Sequence, residues 1–420
     1  MDKKNLKIVA SGLIPTDKKE FDIVERKGVG HPDTLCDVIA EKISANYSKF
    51  CLERYSTILR HMVDKIALSG GASRVRFGGG EMISPVRMYL NCRFTKSFEN
   101  ETIPYLQIAT DSIRSHFGEI IPLLNQDKWL MIVDNTHFSP GPGIVYDKNW
   151  ETNNERKFFF DVPNKDFAYF HNNSFRSNDT STIVTYHPLS VLEQLVILIE
   201  QTLSGKEFKS LNPWVGTDIK VMGRRNHDHI QLTLAVPFIA SKTPSKEFYF
   251  EKLLELNQFL IGFVQKKLDS KYQVNIFLNT RDDVNKSDYY LTLTGSAIES
   301  GDEGVVGRGN RYNGVIPFTR HMTLEACCGK NPVYHVGKLY TALGSIISKE
   351  VHTLTGLENY VFMTSQMGRS LNDPWSVVVE VCGKDISPGT QQLIKAIVEK
   401  TLADIPSITL KIVRGDLILY

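Results

Sequence analysis

The sequence lacks several features that would assign it to a functional class. Its formal net charge is only +2 over 420 residues, so no excess positive charge predicts nucleic-acid or membrane binding. Its six cysteines form no C-x-x-C pair, which argues against a zinc or redox motif. It contains no long uncharged apolar run, and its first residues do not resemble a secretory signal. These absences predict a cytoplasmic protein without membrane or nucleic-acid partners.

What is present is an alternation of helical and strand periodicities. Apolar residues at helical spacing predict helices over 34–47, 103–117, 188–203, 248–268, 336–351 and 390–404. Strict alternation predicts strands, with one wet face each, over 86–94, 229–236, 289–294, 375–381 and 407–413. Since continuous apolar strands in regular βαβ order are missing, we expect an α+β fold of mostly antiparallel sheets with helices on one face. The stretch 135–187 is rich in Pro, Gly and Asn and is interpreted as a loop.

One glycine-rich segment, "GDEGVVGRGNRYNG" (the 301–314 loop), raises the question of a dinucleotide site. The third glycine of a G-x-G-x-x-G fingerprint is misplaced after Gly309, and no amphipathic helix follows, which excludes that reading. A flexible backbone carrying Asp302, Arg308 and Arg311 suits a polyphosphate or a carboxylate. A solvated turn with incidental arginines explains the loop equally well.

Two junctions carry a histidine or a carboxylate beside glycines. His31 and Asp33 precede the first predicted helix, in "VERKGVGHPDTLCD", where phosphate oxygens and magnesium can bind. Asp33 could instead serve only as an N-cap. Glu81 follows three glycines in "FGGGE", which a tight turn also explains.

Two further junctions carry lysines. Asp218 and Lys220 share one strand face, as an ordinary surface charge pair would. Lys330 and His335, in "GKNPVYHVGK", lie at a helix start, but the P-loop spacing is absent. Each signal is weak alone, yet charged residues recur in glycine-rich junctions along the whole chain. Their distribution favours a polyphosphate site with a metal, assembled from several segments.

These blocks, in this order, resemble the archaeal-type branch of the S-adenosylmethionine synthetase (methionine adenosyltransferase) family. The resemblance is carried by "ERKGVGHPD", "FGGGE", "NDTSTIVTYHPLS", "KVMG", "TGSAIESGDEGVVGRGNR", "GKNPVYHVGK" and "SQMG", and it runs from about residue 20 to the end. It implies attack of the methionine sulfur on C5′ of ATP, loss of tripolyphosphate, and its hydrolysis to phosphate and diphosphate.

The resemblance also implies roles for individual residues. It places His31 at the breaking C5′–O bond, with Lys220, Arg308 and Lys330 as catalytic cations on the triphosphate. The other implied positions are Asp218, Arg311, His335 and Lys338 for ATP and its triphosphate; Glu81, Asp179 and Asp302 for methionine; and Asp33, Glu25, Asp64 and Glu325 for Mg²⁺ and K⁺. His335 and Glu325 are candidates for roles that a lysine and an aspartate fill in the bacterial and eukaryotic branch.

The same resemblance implies three similar domains around a pseudo-threefold axis, over approximately 1–135, 136–285 and 286–420 with segments that can interleave. It also implies a homodimer with active sites at the subunit interface, and leaves pairing of dimers into a tetramer open.

The chain departs from the family pattern around Asp179. Thr182, Ile183, Thr185 and His187 stand where the family has Phe, Gly, Gly and Ala. Cys327, Cys328 and Tyr334 also replace smaller residues. The departures leave two alternatives open, a paralogue that uses a methionine analogue and a weakly active nucleotide-binding regulatory subunit. A hydrolase of ATP or tripolyphosphate is a third.

Overall fold

The structure is a computed structural model, described here for residues 5–136 and 176–420. Within them the α-helices are α1 (Pro32–Tyr55), α2 (Tyr105–Ile120), α3 (Gln126–Trp129), α4 (Val191–Ser204), α5 (Lys206–Leu211), α6 (Lys246–Lys267), α7 (Val336–Thr355), α8 (Pro388–Ala403) and α9 (Ile405–Arg414). The strands are β1 (Leu6–Ala10), β2 (Phe21–Lys27), β3 (His61–Met62), β4 (Ala67–Ser69), β5 (Ala72–Arg76), β6 (Gly79–Ser84), β7 (Val86–Leu90), β8 (Arg93–Phe94), β9 (Ser97–Phe98), β10 (Glu101–Thr102), β11 (Leu130–Asp134), β12 (Thr182–His187), β13 (Lys220–Asn226), β14 (His229–Ala235), β15 (Phe238–Ile239), β16 (Gln273–Leu278), β17 (Leu291–Thr292), β18 (Gly304–Val305), β19 (Ile316–Pro317), β20 (Asn359–Thr364) and β21 (Ser376–Val381). The α+β class is confirmed.

The three larger sheets have a similar topology. Their strand orders are β18-β4-β7-β11, β19-β2-β13-β14-β16 and β12-β20-β21-β1. In each, an antiparallel pair is followed by a helix, and the edge strand runs parallel to its neighbour. In the third sheet that edge strand is β1, from the start of the chain.

The sheets also exchange strands in a cycle. The strand before α1, β2, joins the second sheet, and the strand before α4, β12, joins the third. Of the two short strands before α7, β18 joins the first sheet and β19 joins the second. A closed exchange among three similar units is the connectivity that a threefold arrangement requires. Each predicted linear range holds one helix–hairpin–helix copy, and the ranges themselves stay a prediction.

Two sequence expectations are wrong. The stretch 407–413 lies in α9 and not in a strand, and its buried residues Ile405, Ile408 and Ile412 follow helical spacing. The apolar residues of such a short, β-branched run match both the alternation of a strand and the spacing of a helix. The packing of α9 against α1 and α7 stabilises the helix. The end of the predicted 135–187 loop is strand β12; residues 137–175 lie outside the described part.

Candidate active site

The first group of functional side chains gathers where α1 begins. We call Glu25, Lys27, His31, Asp33 and Lys220 the His31 cluster. His31 is the N-cap of α1, and its Nδ1 accepts a hydrogen bond from the Asp33 backbone N–H at 3.2 Å. Because Nδ1 is an acceptor, the neutral ring carries its proton on Nε2, where it can be donated.

The charge state of His31 follows from its surroundings. Burial lowers the pKa of His31 to about 4, and the nearby Lys27 and Lys220 ammonium groups act in the same direction. The imidazole is therefore neutral at pH 7. It is suited to donating a hydrogen bond to an oxygen that gains charge.

Two lysines border this histidine, each with a carboxylate partner. Lys27 Nζ lies 2.7 Å from Asp33 Oδ2, and Asp33 Oδ1 accepts from the Val305 N–H at 3.0 Å. Lys220 Nζ lies 3.3 Å from Glu25 Oε1, since β13 pairs with β2. The Lys220 side chain keeps 43% of its surface exposed, so it can reach an anion.

The 301–314 loop crosses the start of α1. Gly307 N–H donates to Asp37 Oδ1 at 2.8 Å, and Gly309 N–H donates to Asp37 Oδ2 at 3.2 Å. Arg308, between the two glycines, is exposed. The guanidinium of Arg311 instead donates to the carbonyl oxygens of Gly307 and Gly309, each at 2.7 Å. Strand β18 lies in this loop, and within the described residues the next helix is α7.

Two acids, Asp302 at the start of the loop and Asp218 before β13, form a further pair of predicted site residues. Asp218 is buried, and its Oδ2 accepts from the Ala297 N–H at 2.9 Å. Burial raises the pKa of Asp218 to about 7, and the neighbouring carboxylate of Asp302 adds to the rise. Burial likewise raises the pKa of Asp302. The Asp33 carboxylate adds to the rise of the pKa at Asp302.

A second group forms at the start of α7. Asp64, Asp179, Glu325, Lys330 and His335, here the Lys330 cluster, line a cleft of about 380 Å³. Val306 and Gly307 of the loop line the same cleft, so the loop borders both clusters.

The Lys330 cluster repeats the geometry of the first group. His335 is the N-cap of α7, and its Nδ1 accepts from the Gly337 N–H at 3.2 Å, as His31 does in α1. Burial, helped by Lys330 and Lys338, holds the pKa of His335 well below its usual value. Lys330 is buried and forms an ion pair with Glu325.

Two predicted site residues lie apart from both clusters in the single chain. Lys338 is buried and pairs with Glu41 of α1 at 2.8 Å. Glu81 lies on the exposed β5–β6 hairpin, with Arg74 as an ion-pair partner at 3.7 Å. Neither lines the cleft of the Lys330 cluster.

The predicted metal ligands do not form a preassembled cage. Among the described residues, no three His, Cys, Asp or Glu side chains converge as a metal site. Mg²⁺ typically takes one or two protein carboxylates and fills its other positions with water and substrate phosphates. The predicted ligands Asp33, Glu25, Asp64 and Glu325 are separate carboxylates, and each forms an ion pair with a lysine.

The sequence interpretation missed Lys27 and Asp37. Asp37 lies four residues after Asp33 in a helical pattern, so the sequence predicts both carboxylates on one face of α1. The available signal was an acidic residue between two apolar residues of the predicted helix, Leu35 and Val38. Both apolar residues are buried in the structure. Lys27 had no comparable signal, since its contact with Asp33 arises only where β2 turns into α1.

Comparison with known proteins identifies the family. A family model described as S-adenosylmethionine synthetase (AdoMet synthetase) matches residues 4–142 and 164–416. The chain belongs to this family. The family and enzyme class predicted from the sequence blocks, a methionine adenosyltransferase, are therefore confirmed.

Relatives match the chain over nearly its whole length. A probable S-adenosylmethionine synthase of Aquifex aeolicus is 36% identical over 96% of both chains. S-adenosylmethionine synthases of Caldivirga maquilingensis and Hyperthermus butylicus are each 34% identical, over 98% and 99% of this chain and 98% and 100% of theirs.

A solved structure is similar in fold. An S-adenosylmethionine synthetase from Campylobacter jejuni, described as unusual, matches with a TM-score of 0.54 and 13% identity, over 92% of this chain and 89% of that one. At this identity the match concerns the fold alone. In the described ranges of the synthetase chain, no helix has the length and apolar character that a membrane crossing needs.

Proposed function

We propose that the chain converts ATP, L-methionine and water into S-adenosylmethionine, phosphate and diphosphate. The observation that carries the proposal is family membership over almost the whole chain, with His31, Lys220, Arg308 and Lys330 all present. A sulfur lone pair forms the S–C5′ bond while the C5′–O bond breaks and its electron pair leaves on tripolyphosphate. Water then cleaves the bound tripolyphosphate.

The chemistry needs no general base, because a thioether is already a nucleophile. The difficulty lies in the leaving group, which gathers negative charge as the C–O bond lengthens. Groups that bind this charge more strongly in the transition state than in the ground state accelerate the reaction. We assign this role to the Nε2–H of neutral His31 at the breaking bond and to the ammonium group of Lys220.

Arg308 and Lys330 supply the remaining positive charge at the triphosphate. Arg308 is exposed on the loop between the two clusters and can bind phosphate oxygens bidentately. Lys330 is neutralised by Glu325 in the free protein, and we propose that it exchanges this partner for the triphosphate. Asp218, His335 and Lys338 are assigned to ATP and its triphosphate.

Carboxylates would hold the metal ions and the methionine ammonium group. We propose that Asp33, Glu25, Asp64 and Glu325 hold Mg²⁺ and K⁺, and that Asp179, Asp302 and Glu81 bind methionine. Bound Mg²⁺ would neutralise phosphate charge that the lysines and Arg308 leave uncompensated.

We also propose that the enzyme is a cytoplasmic homodimer with active sites at the subunit interface. The separation of Glu81 from both clusters in one chain supports a site completed by a second copy. Formation of a tetramer stays open.

Two of the residues that depart from the family pattern, Ile183 and Thr185, give little support to a different substrate. Ile183 and Thr185 are buried in β12, and Thr185 packs against Gly344 of α7. These side chains fill the interface between a sheet and a helix. The methionine analogue, the regulatory subunit and the hydrolase therefore serve as outcomes of the test.

The test is incubation of the purified chain with ATP, L-methionine, Mg²⁺ and K⁺, followed by detection of S-adenosylmethionine and phosphate. We expect both products to depend on methionine. Phosphate release without methionine would indicate a hydrolase, and ATP binding without turnover would indicate a regulatory subunit. Product only with an analogue would indicate a specialised paralogue.

A further inference from the structure

The backbone around Arg308 is held from its amide side by one carboxylate. Asp37 accepts from the N–H groups of Gly307 and Gly309, the residues on either side of Arg308. A carboxylate that accepts two backbone N–H groups fixes both peptide planes. Asp37 is itself buried in α1, so its position is set by the helix.

The same two residues are held from their carbonyl side by Arg311. One guanidinium nitrogen donates to the carbonyls of both Gly307 and Gly309. Lys27 Nζ adds a bond to the carbonyl of Arg308 at 2.8 Å. We call Gly307, Arg308 and Gly309 the crest of the loop. Their backbone groups are thus fixed by side chains of β2, α1 and the loop itself.

The same contacts explain why residue 309 is a glycine. A Cβ at Gly309 would lie 2.2 Å from Asp37 Oδ2, so any side chain there would displace the carboxylate. The close approach of Asp37 accounts for the absence of a side chain at this position.

We propose that Asp37 and Arg311 are positioning residues, which hold the crest so that Arg308 points at the leaving triphosphate. This proposal rests on the proposed function, and it gives Arg311 a role through the backbone instead of direct contact with phosphate. Because the peptides on either side of Arg308 are fixed, only its side chain has to become ordered on binding.

The experiment is a pair of double-mutant cycles on kcat. Asp37→Asn and Arg311→Gln are each measured alone and combined with Arg308→Ala, with ATP and methionine as substrates and tripolyphosphate hydrolysis measured separately. Each single variant should lower kcat about 10- to 100-fold, with a smaller change in the KM for methionine. In the Arg308→Ala background, each second substitution should change kcat by less than about twofold.

Three results would overturn the proposal. Wild-type kcat in Asp37→Asn would exclude a positioning role for the carboxylate. Losses of Arg311→Gln and Arg308→Ala that multiply would show that Arg311 contacts the triphosphate independently. Loss of activity only in proportion to lost folded protein, measured by circular dichroism, would reduce both residues to structural roles.

A matched control lies on the same helix. Glu53 of α1 is exposed, and Glu53→Gln makes the same change of charge without touching the loop. It should leave kcat unchanged. Failure of the proposed function would appear as an inactive wild-type enzyme, whereas failure of this inference would appear as an active wild type with one of the three results above.

Discussion

At the scale of single residues, two histidines take the same role because their surroundings are alike. His31 and His335 are both N-caps whose Nδ1 accepts the N–H two residues ahead, and both are kept neutral by burial beside lysines. A protonated ring could no longer accept that hydrogen bond. Each histidine therefore offers a fixed Nε2 donor at neutral pH.

Lys220 should matter for turnover and hardly for stability. Lys220→Met should lower kcat at least about 100-fold, because it removes charge opposite the leaving group. Unfolding free energy should change by less than about 1 kcal/mol, since partly exposed ion pairs contribute little. Steady-state kinetics and urea denaturation measure the two effects.

Arg224 gives the control for this prediction. It lies on the same strand, β13, and is exposed. Arg224→Met should leave both kcat and the unfolding free energy unchanged. Equal loss of folded protein in Lys220→Met would make Lys220 a structural residue instead.

The residues of the proposed site were named from the sequence, whereas their contacts could be described only from the structure. The glycine-rich blocks marked His31, Asp33, Lys220 and Lys330 because unusual residue types stood at helix starts and strand ends. Arg311 was expected at the phosphates, yet in the structure it binds carbonyls of its own loop. Sequence spacing cannot distinguish a guanidinium directed outward from one folded back onto the backbone.

At the scale of elements, helix starts do much of the positioning. Ser190 caps α4, accepting from the Glu193 N–H at 3.1 Å, while its hydroxyl donates to Asp22 Oδ2 at 2.7 Å. Ser190 and Glu193 have the sequence spacing of a capping box, whereas the bond to Asp22 of β2 leaves no sign in the sequence. Buried capping residues of this kind join a helix to a neighbouring strand.

Ser190→Ala should therefore cost more than loss of an ordinary cap. We expect about 2 kcal/mol of unfolding free energy, at the upper end for N-caps, because Asp22 also loses a donor. Ser387→Ala at the exposed cap of α8 should cost about 0.5–1 kcal/mol. Chemical denaturation of both variants measures the difference, and equal costs would contradict the importance of the bond to Asp22.

The packing of α2 against α1 should make stability depend on pH. Burial, reinforced by Lys42, lowers the pKa of His116 in α2 to about 4, against about 6.5 in an unfolded chain. The unfolded chain therefore binds a proton between these values that the folded chain does not, so acid destabilises the fold there.

His116→Gln removes this titration. On lowering the pH from 6.5 to 4, the stability of the variant relative to wild type should improve by on the order of 3 kcal/mol. Unfolding free energies at a series of pH values measure this. A stability difference between His116→Gln and wild type that stays constant across this pH range would contradict the assignment.

At the scale of the whole molecule, three similar units exchange strands, and each subunit of the proposed dimer carries one His31 cluster and one Lys330 cluster. If each active site takes the His31 cluster from one subunit and the Lys330 cluster from its partner, two inactive variants can complement each other. Lys220→Met and Lys330→Met homodimers should be nearly inactive. Subunits mixed after dissociation should recover about a quarter of wild-type activity, because half of the dimers hold one intact site.

The mixing experiment needs its own control. Each variant taken alone through the same dissociation should stay inactive, and sedimentation should give twice the 47.5 kDa chain mass. Absence of recovery in mixed dimers would show that both clusters of an active site come from one chain.

The sequence by itself determined the family, the α+β class, most helices and the residue types of the site, because these are recorded in local periodicity and in contiguous blocks. Only the tertiary structure decided that 407–413 is helical and that β1 completes the sheet of the C-terminal unit. It also decided that Asp37 and Arg311 hold the crest of the 301–314 loop. These outcomes depend on contacts between segments up to hundreds of residues apart, where local pattern carries no information about partners.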